Sequence, residues 1–346
     1  MRALVYRGPW DIDLEDRPDP VPGPGEVVVA VIATGICGSD IHGYTGENGR
    51  RHPGQVMGHE TVGRVLTLGP GTDAVHVGEL VTINPVLSCD DCEVCRAGSE
   101  QSCPNRTVIG VTATISSAFA DQIVVRATNL VGLPSGLEPE LGALVEPLAV
   151  GYHAAVRGGC SEADRVLVLG AGPIGQACVL AARRLEATRV AVTDPNPARR
   201  ELCGSLGATP LDPTGGNLTK AVAHALGGPA TLVIDAVGIQ ASLTDAMAVS
   251  SLGSRIVLVG MGSPRLDVPA YAVSTDERTL IGSFCYSRAH FDDTARWVAS
   301  TDHDLSRLIE GRVGWDGARQ SFEDLGRGVS PSSKVLVFPG GAPVSD

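Results

Sequence analysis

The chain has 346 residues, too many for one hydrophobic core, so two domains are expected, and 43% apolar residues is enough to fill both. A formal charge of −12 with no block of Lys and Arg argues against nucleic acid as a partner. The longest apolar runs, such as residues 27–33, fall far short of the roughly 20 residues a membrane helix needs, and Gly8-Pro9 interrupts the N-terminus before a signal-peptide core develops. No membrane partner is expected, and the expected location is the cytoplasm.

The first 130 residues alternate β-rich segments (2–6, 27–33, 61–68 and 80–86) with Gly/Pro punctuation, which predicts an antiparallel, barrel-like β domain with long functional loops and few helices. From about Pro139 the texture changes to a helix-like run over 140–157, followed by strands at 165–169, 190–193, 232–236 and 256–259 that alternate with helices starting near Ala198 and Ala241. Alternating β and α units predict a parallel, doubly wound sheet. The last sixty residues carry helix-like stretches near 292–300 and 317–326 and a final strand at 334–338.

The strand 165–169 runs into Gly170-Ala171-Gly172-Pro173-Ile174-Gly175 and then into a helix. The glycines permit a tight turn and close backbone approach, and the helix N-terminus offers free N–H groups to a dinucleotide pyrophosphate. Asp194 ends the next strand, nineteen positions beyond Gly175. A carboxylate there accepts hydrogen bonds from an adenosine ribose diol and repels the 2′-phosphate of NADP; two like charges about 4 Å apart cost on the order of 4 kcal/mol at an effective dielectric of 20. NAD is expected over NADP, with Arg199 and Arg200 nearby as the residues that would accommodate an extra phosphate.

Four of the nine cysteines, Cys89, Cys92, Cys95 and Cys103, fall within fifteen residues, while Cys37, Cys160, Cys178, Cys203 and Cys285 are scattered. One tight cluster in a long chain reads as metal binding in a reducing compartment. Four thiolates in a short loop fit a closed tetrahedral zinc that holds the lobe 89–103 together and leaves no position open for catalysis.

A second zinc is expected from Cys37-Gly38-Ser39-Asp40-Ile41-His42 together with Gly58-His59-Glu60, which bring a thiol, a hydroxyl and two imidazoles near one another. If the segment at His59 is extended, Glu60 points to the opposite face, which leaves it as an alternating ligand and favours Glu146, in Leu144-Val145-Glu146-Pro147-Leu148, as the third ligand. A Cys/His/Glu set leaves one tetrahedral position open to a substrate oxygen. Asp40 is left without chemistry on this reading. Tyr44, Asn48 and Arg50, between the first two candidate ligands, touch substrate or face water.

These motifs, in this order, resemble the zinc-dependent medium-chain alcohol dehydrogenases, and the likeness runs essentially end to end. It implies a GroES-like β-barrel catalytic domain (residues 1–145), a Rossmann domain that binds NAD (146–284) and a return segment completing the catalytic domain (285–346). It matches Cys37, His59 and Glu146 to the catalytic zinc ligands, Glu60 to the acid that exchanges in, and Ser39 and His42 to a proton relay. Val237, Leu258, Val259, Ser283 and Phe284 fall where the family lines the nicotinamide. A Glu followed by Pro-Leu in the third-ligand position is similar to the polyol, threonine and butanediol dehydrogenase branch, and the short span from Cys103 to Asp121 resembles the tetramer-forming branch. The implied reaction is hydride transfer between a secondary alcohol or ketone and NAD. A zinc-free carbonyl or enone reductase using NADPH would lack Cys37 and His59, and a non-catalytic relative would have an eroded relay or glycine turn; all these features are present.

Overall fold

The computed structural model describes residues 1–343 apart from Asn48, Ser116 and Pro331, so that Asn48 lies outside the described residues. The chain forms two compact units, Met1–Glu146 with Ser287–Asp346, and Pro147–Tyr286. Among the described residues no helix is long and apolar enough to cross a membrane.

The first unit begins with β1 (Arg2–Gly8), β2 (Asp11–Asp16), β3 (Glu26–Gly35), α1 (Gly38–Tyr44), β4 (Glu60–Leu68), β5 (Leu80–Ile83), β6 (Val86–Leu87), α2 (Glu93–Arg96), β7 (Thr107–Val108), β8 (Gln122–Arg126) and β9 (Leu130–Gly132). The β-branched run of β3, Val-Val-Val-Ala-Val-Ile, suits a pleated strand buried in a sheet, and β3 pairs with β4, β8 and the C-terminal strand. Val27, Val29 and Val31 pack with Val65, Val81, Ile83, Ile123 and Val125 in the core beneath it.

The helix expected over 140–157 is two pieces: a 3-10 segment, Pro139–Leu144, and α3 (Val145–Arg157). Pro147 explains the break. It has no N–H to donate to the carbonyl of Ala143, so the α ladder cannot run through and starts afresh with Pro147 in its first turn.

The second unit continues with β10 (Arg165–Leu169), α4 (Pro173–Arg184), β11 (Arg189–Thr193), α5 (Pro197–Ser205), β12 (Thr209–Leu211), α6 (Leu218–Leu226), β13 (Ala230–Asp235), α7 (Gln240–Val249), β14 (Ser250–Leu258), α8 (Ala270–Thr275) and β15 (Thr279–Gly282). Its six parallel strands lie in the order β12-β11-β10-β13-β14-β15, a doubly wound Rossmann sheet whose order reverses between β10 and β13.

The return segment supplies α9 (Arg288–Val298), β16 (Gly311–Val313), α10 (Trp315–Gly326) and β17 (Val335–Val337). β17 pairs with β3 and completes the seven-stranded sheet of the first unit, in the order β16-β17-β3-β4-β5-β9 with β8 also on β3. Phe322 of α10 stacks edge-on against Tyr44 of α1 at 5.5 Å and Phe119 at 5.3 Å. Tyr44 is therefore a core residue, its hydroxyl donating to the Trp10 carbonyl at 3.2 Å, and it does not touch substrate. Because Phe322 is fully buried and links the N-terminal strands, α1 and the return segment, Phe322→Ala is expected to cost about 3–5 kcal/mol in denaturant unfolding.

Candidate active site

Cys37 caps α1 in an extended conformation, and its N–H donates to Asp40 Oδ2 at 3.1 Å, so the helix starts at the candidate ligand's own backbone. Ser39 and His42 sit three residues apart on this short helix, on one face. The Oγ of Ser39 is shielded from water and has no hydrogen-bond partner.

The Cys37 sulfur, a His59 ring nitrogen and a Glu60 carboxylate oxygen all lie within 4.8 Å of one another. The strand alternation expected to separate His59 from Glu60 does not operate here. β4 begins only at Glu60, and Gly58 takes φ +100°, so the chain turns immediately before His59. A Cβ on Gly58 would lie 2.9 Å from Phe119 and Thr34, so this turn is tied to glycine by packing as well as by φ.

Asp40 is fully buried, with Oδ1 3.7 Å from His59 Nδ1, and neither atom has a hydrogen-bond partner. Its carboxylate therefore stands beside the imidazole of a candidate ligand, a placement that the sequence reading, which left Asp40 without chemistry, did not anticipate. Burial raises the Asp40 carboxyl, opposed by His59 and Arg51. Burial works to lower the His59 imidazolium, but Asp40, Cys37 and Glu146 outweigh it and hold it well above its ordinary value. Soft sulfur, imidazole and carboxylate gathered within 4.8 Å of one another fit zinc.

Lys334 closes the other side. Its side chain is 2% exposed, and Nζ contacts both carboxylate oxygens of Glu60, at 2.7 Å from Oε1, and the Ile36 carbonyl at 3.3 Å. Burial acts to lower the ammonium's pKa, but Glu60, Cys37 and Glu146 raise it on balance. Gly35 makes room for this pair, since a Cβ there would meet Glu60 Oε2 at 2.0 Å. Glu146 is buried and its charge is felt by both His59 and Lys334.

In the lobe, the sulfur separations are 3.9 Å for Cys89–Cys95, 3.4 Å for Cys92–Cys95, 4.0 Å for Cys92–Cys103 and 3.5 Å for Cys103–Cys89. A tetrahedron of sulfurs about 2.3 Å from zinc has edges of about 3.8 Å, so the four thiols already stand at the corners such an ion requires. Backbone N–H groups of Asp91 and Cys92 lower Cys89 to about 6, while burial pushes Cys95 up to about 12. The lobe is tied to α9 through Arg288, whose N–H donates to Glu100 at 3.2 Å and whose guanidinium reaches Asp90 at 3.0 Å.

In the second unit, Gly170 follows β10 with φ +88°, and a Cβ on Gly175 would lie 1.8 Å from the Gly170 carbonyl, so only glycine lets α4 approach the turn. Gly172 caps α4 and has open space where a Cβ would stand, with Pro173 and Ile174 opening the helix. Asp194 Oδ2 accepts from the Ala171 N–H at 2.9 Å and Oδ1 from the Asn196 N–H at 2.8 Å, which fixes the carboxylate beside the glycine turn. Arg199 lies in the first turn of α5, and Arg200 is turned to the Asp194 carbonyl and to Asp212. Val237 packs over Gly170, and Leu258, Val259 and Ser283 follow at the ends of β14 and β15, with the Ser283 N–H bonded to Leu258. Ser283 Oγ is shielded and has no hydrogen-bond partner, and Phe284 is 41% exposed. All these residues thus share the carboxyl edge of the sheet, where its strand order reverses and where such sheets bind ligands.

The fold and the two donor sets define a two-domain oxidoreductase with a GroES-like unit and a Rossmann unit. Residues 23–135 match the family model of the alcohol dehydrogenase GroES-like domain, and residues 173–300 that of the zinc-binding dehydrogenases. Over 98% of its length the chain is 31% identical to a probable D-xylulose reductase A of Emericella nidulans, covering 97% of that protein. It is likewise 31% identical to the sorbitol dehydrogenase of Ovis aries, over 97% of this chain and 95% of the relative. An alcohol dehydrogenase from Escherichia coli CFT073, solved with NADH, superposes with a TM-score of 0.90 at 29% identity, covering 98% of this chain and 99% of that one. The chain belongs to the zinc-dependent medium-chain alcohol dehydrogenase family, in its polyol branch.

Sequence reasoning passed over Lys334 and the role of Asp40. Lys334 had a signal: it is one of only two lysines in a chain whose other cations are arginines. Removing one partner of a buried ion pair leaves the other charge uncompensated, so Lys334→Met is expected to lose about 3–5 kcal/mol in urea unfolding, with much of it recovered in Lys334→Met/Glu60→Gln.

Proposed function

We propose that the protein oxidises a secondary alcohol of a polyol or a similar diol, cyclitol or amino alcohol with NAD, using two zinc ions per chain, one catalytic and one structural. The observation that carries this is the convergence of Cys37, His59 and Glu60 beside the unpartnered Ser39 hydroxyl. These three side chains would hold the catalytic zinc, with Glu146 as the nearby acid that exchanges with Glu60, and Cys89, Cys92, Cys95 and Cys103 would hold the structural one. Bound there, zinc supplies a Lewis acid that makes a hydroxyl far more acidic, and NAD supplies the hydride acceptor.

The chain's own residues do the rest. Ser39 Oγ accepts the hydroxyl proton as it gives up its own, and His42, three residues along α1, carries a proton on to solvent. Asp40 keeps the His59 ring in register, and Lys334 holds the Glu60 carboxylate in place. The glycine turn and Asp194, with Arg199 alongside, receive the pyrophosphate and ribose, while Val237, Leu258, Val259, Ser283 and Phe284 receive the nicotinamide half. The sorbitol dehydrogenase and xylulose reductase relatives support a polyol-type substrate. A single tight cysteine cluster, the pattern of a metal site rather than of a disulfide scaffold, supports a reducing cytoplasm as the setting. We read the assembly as a homotetramer, to be checked by a solution mass of four 35.7 kDa chains.

Cys37→Ala is expected to retain one zinc per chain by elemental analysis and to lose at least about 10³-fold in kcat on a panel of polyols, diols and amino alcohols followed by NADH absorbance; wild-type turnover with two zinc ions would sink the assignment. Asp194→Ala is expected to raise kcat/KM with NADP relative to NAD by on the order of 10²-fold. A wild type that reduces ketones or enones with NADPH and ignores every alcohol would favour a reductase.

A further inference from the structure

The guanidinium of Arg51 is buried beneath α1 with its side chain 1% exposed, an unusual place for a charged group. Its two terminal nitrogens point apart. One donates to the Ser39 carbonyl at 3.3 Å and stands 3.9 Å from Asp40 Oδ1; the other donates to the Val111 carbonyl at 3.1 Å. The segment at Val111 is itself pressed on the ligand loop, because a Cβ on Gly110 would lie 2.4 Å from the Gly58 carbonyl. Gln55 reinforces the same joint, donating to Gly110 and Val111 at 3.4 Å each. The relay helix has given way to let the arginine through: a Cβ on Gly43, next to His42, would meet Arg51 Cγ at 2.6 Å and Nε at 2.7 Å.

We propose that Arg51 is a positioning residue of the reaction, a planar fork that locks the helix carrying Ser39 and His42 to the loop bearing His59, so that relay and metal ligands hold one geometry. This deepens the function proposed above and rests on it. The fork is what matters. A guanidinium donates in two fixed directions at once, whereas a lysine ammonium on a flexible stem cannot reach carbonyls on opposite sides. A second consequence falls on Asp40, which shares Oδ1 between the Arg51 charge and the His59 ring, so that loss of Arg51 leaves the carboxylate free to tilt and turns the imidazole with it.

The test compares full-length Arg51→Ala, Arg51→Lys and Gly43→Ala with the wild type for zinc content, kcat and KM, and for the visible spectrum after cobalt(II) replaces the catalytic zinc. Arg51→Ala is expected to keep both metals and a KM within about threefold, to lose about 10–100-fold in kcat, and to recover at least about fivefold in millimolar guanidinium chloride but not in methylammonium chloride. Arg51→Lys is expected to stay close to Arg51→Ala. Should Arg51→Ala not fold, Gly43→Ala displaces the guanidinium without removing it and is expected to show the same fall in kcat and a shifted cobalt spectrum. A fully metallated Arg51→Ala with wild-type kcat, or with a loss that guanidinium does not relieve, overturns the proposal, as does an unshifted spectrum in Gly43→Ala. A wild type inactive on every alcohol would count against the proposed function instead, and the cobalt spectra of the variants would still decide the part played by Arg51.

Discussion

A lysine shut away from water has to find a carboxylate, and in this protein that requirement joins residues 274 positions apart, Lys334 and Glu60. The pair forms only if the return segment comes back to β3 and β17 adds to the sheet, because Lys334 immediately precedes that strand. The metal donors depend on the same closure. Glu60 would otherwise be a buried acid without a cationic partner beside the Cys37 thiol and the His59 imidazole. The buried ammonium thus places a positive charge against the candidate metal donors.

Much of the architecture could be read from the chain. The β-branched runs, the Gly-Xaa-Gly-Xaa-Xaa-Gly turn after a strand and the cysteine spacing each have a local physical cause, and local causes leave local patterns. The doubly wound sheet and the four-sulfur tetrahedron followed from them. What stayed hidden had its cause elsewhere in the molecule. Helix α1 reads as a loop because Gly38 and Gly43 in seven residues erase any amphipathic period, yet Gly43 is there to admit the stem of Arg51. The pairing of His59 with Glu60 was misjudged because the pleat rule was applied one residue too early, before the turn at Gly58 had ended. Long-range partners such as Arg51 and Val111 leave no spacing in the sequence to detect.

Glycine does the same work in both units, at places where backbone must touch backbone. Gly110 lies against Gly58 in the first unit and Gly175 against Gly170 in the second, each at a separation no side chain tolerates. In both cases the contact fixes a turn by main-chain packing, which has few soft degrees of freedom.

Cofactor choice rests on a comparable lack of freedom. On the reading that Asp194 meets the adenosine ribose, each of its oxygens is already bonded to a backbone N–H, from Ala171 and from Asn196, and the side chain is 94% shielded in the sense that only 6% of its residue surface meets solvent. A carboxylate held at both oxygens cannot swing aside to admit a phosphate, nor does water reach it readily to screen its charge. On that reading, the hydrogen bonds that build the glycine turn also fix the sign of the charge a bound ribose would face. Arg200, which would be the natural partner for a phosphate, is instead committed to the Asp194 and Pro195 carbonyls and to Asp212, and so stabilises the turn without offering a compensating positive charge.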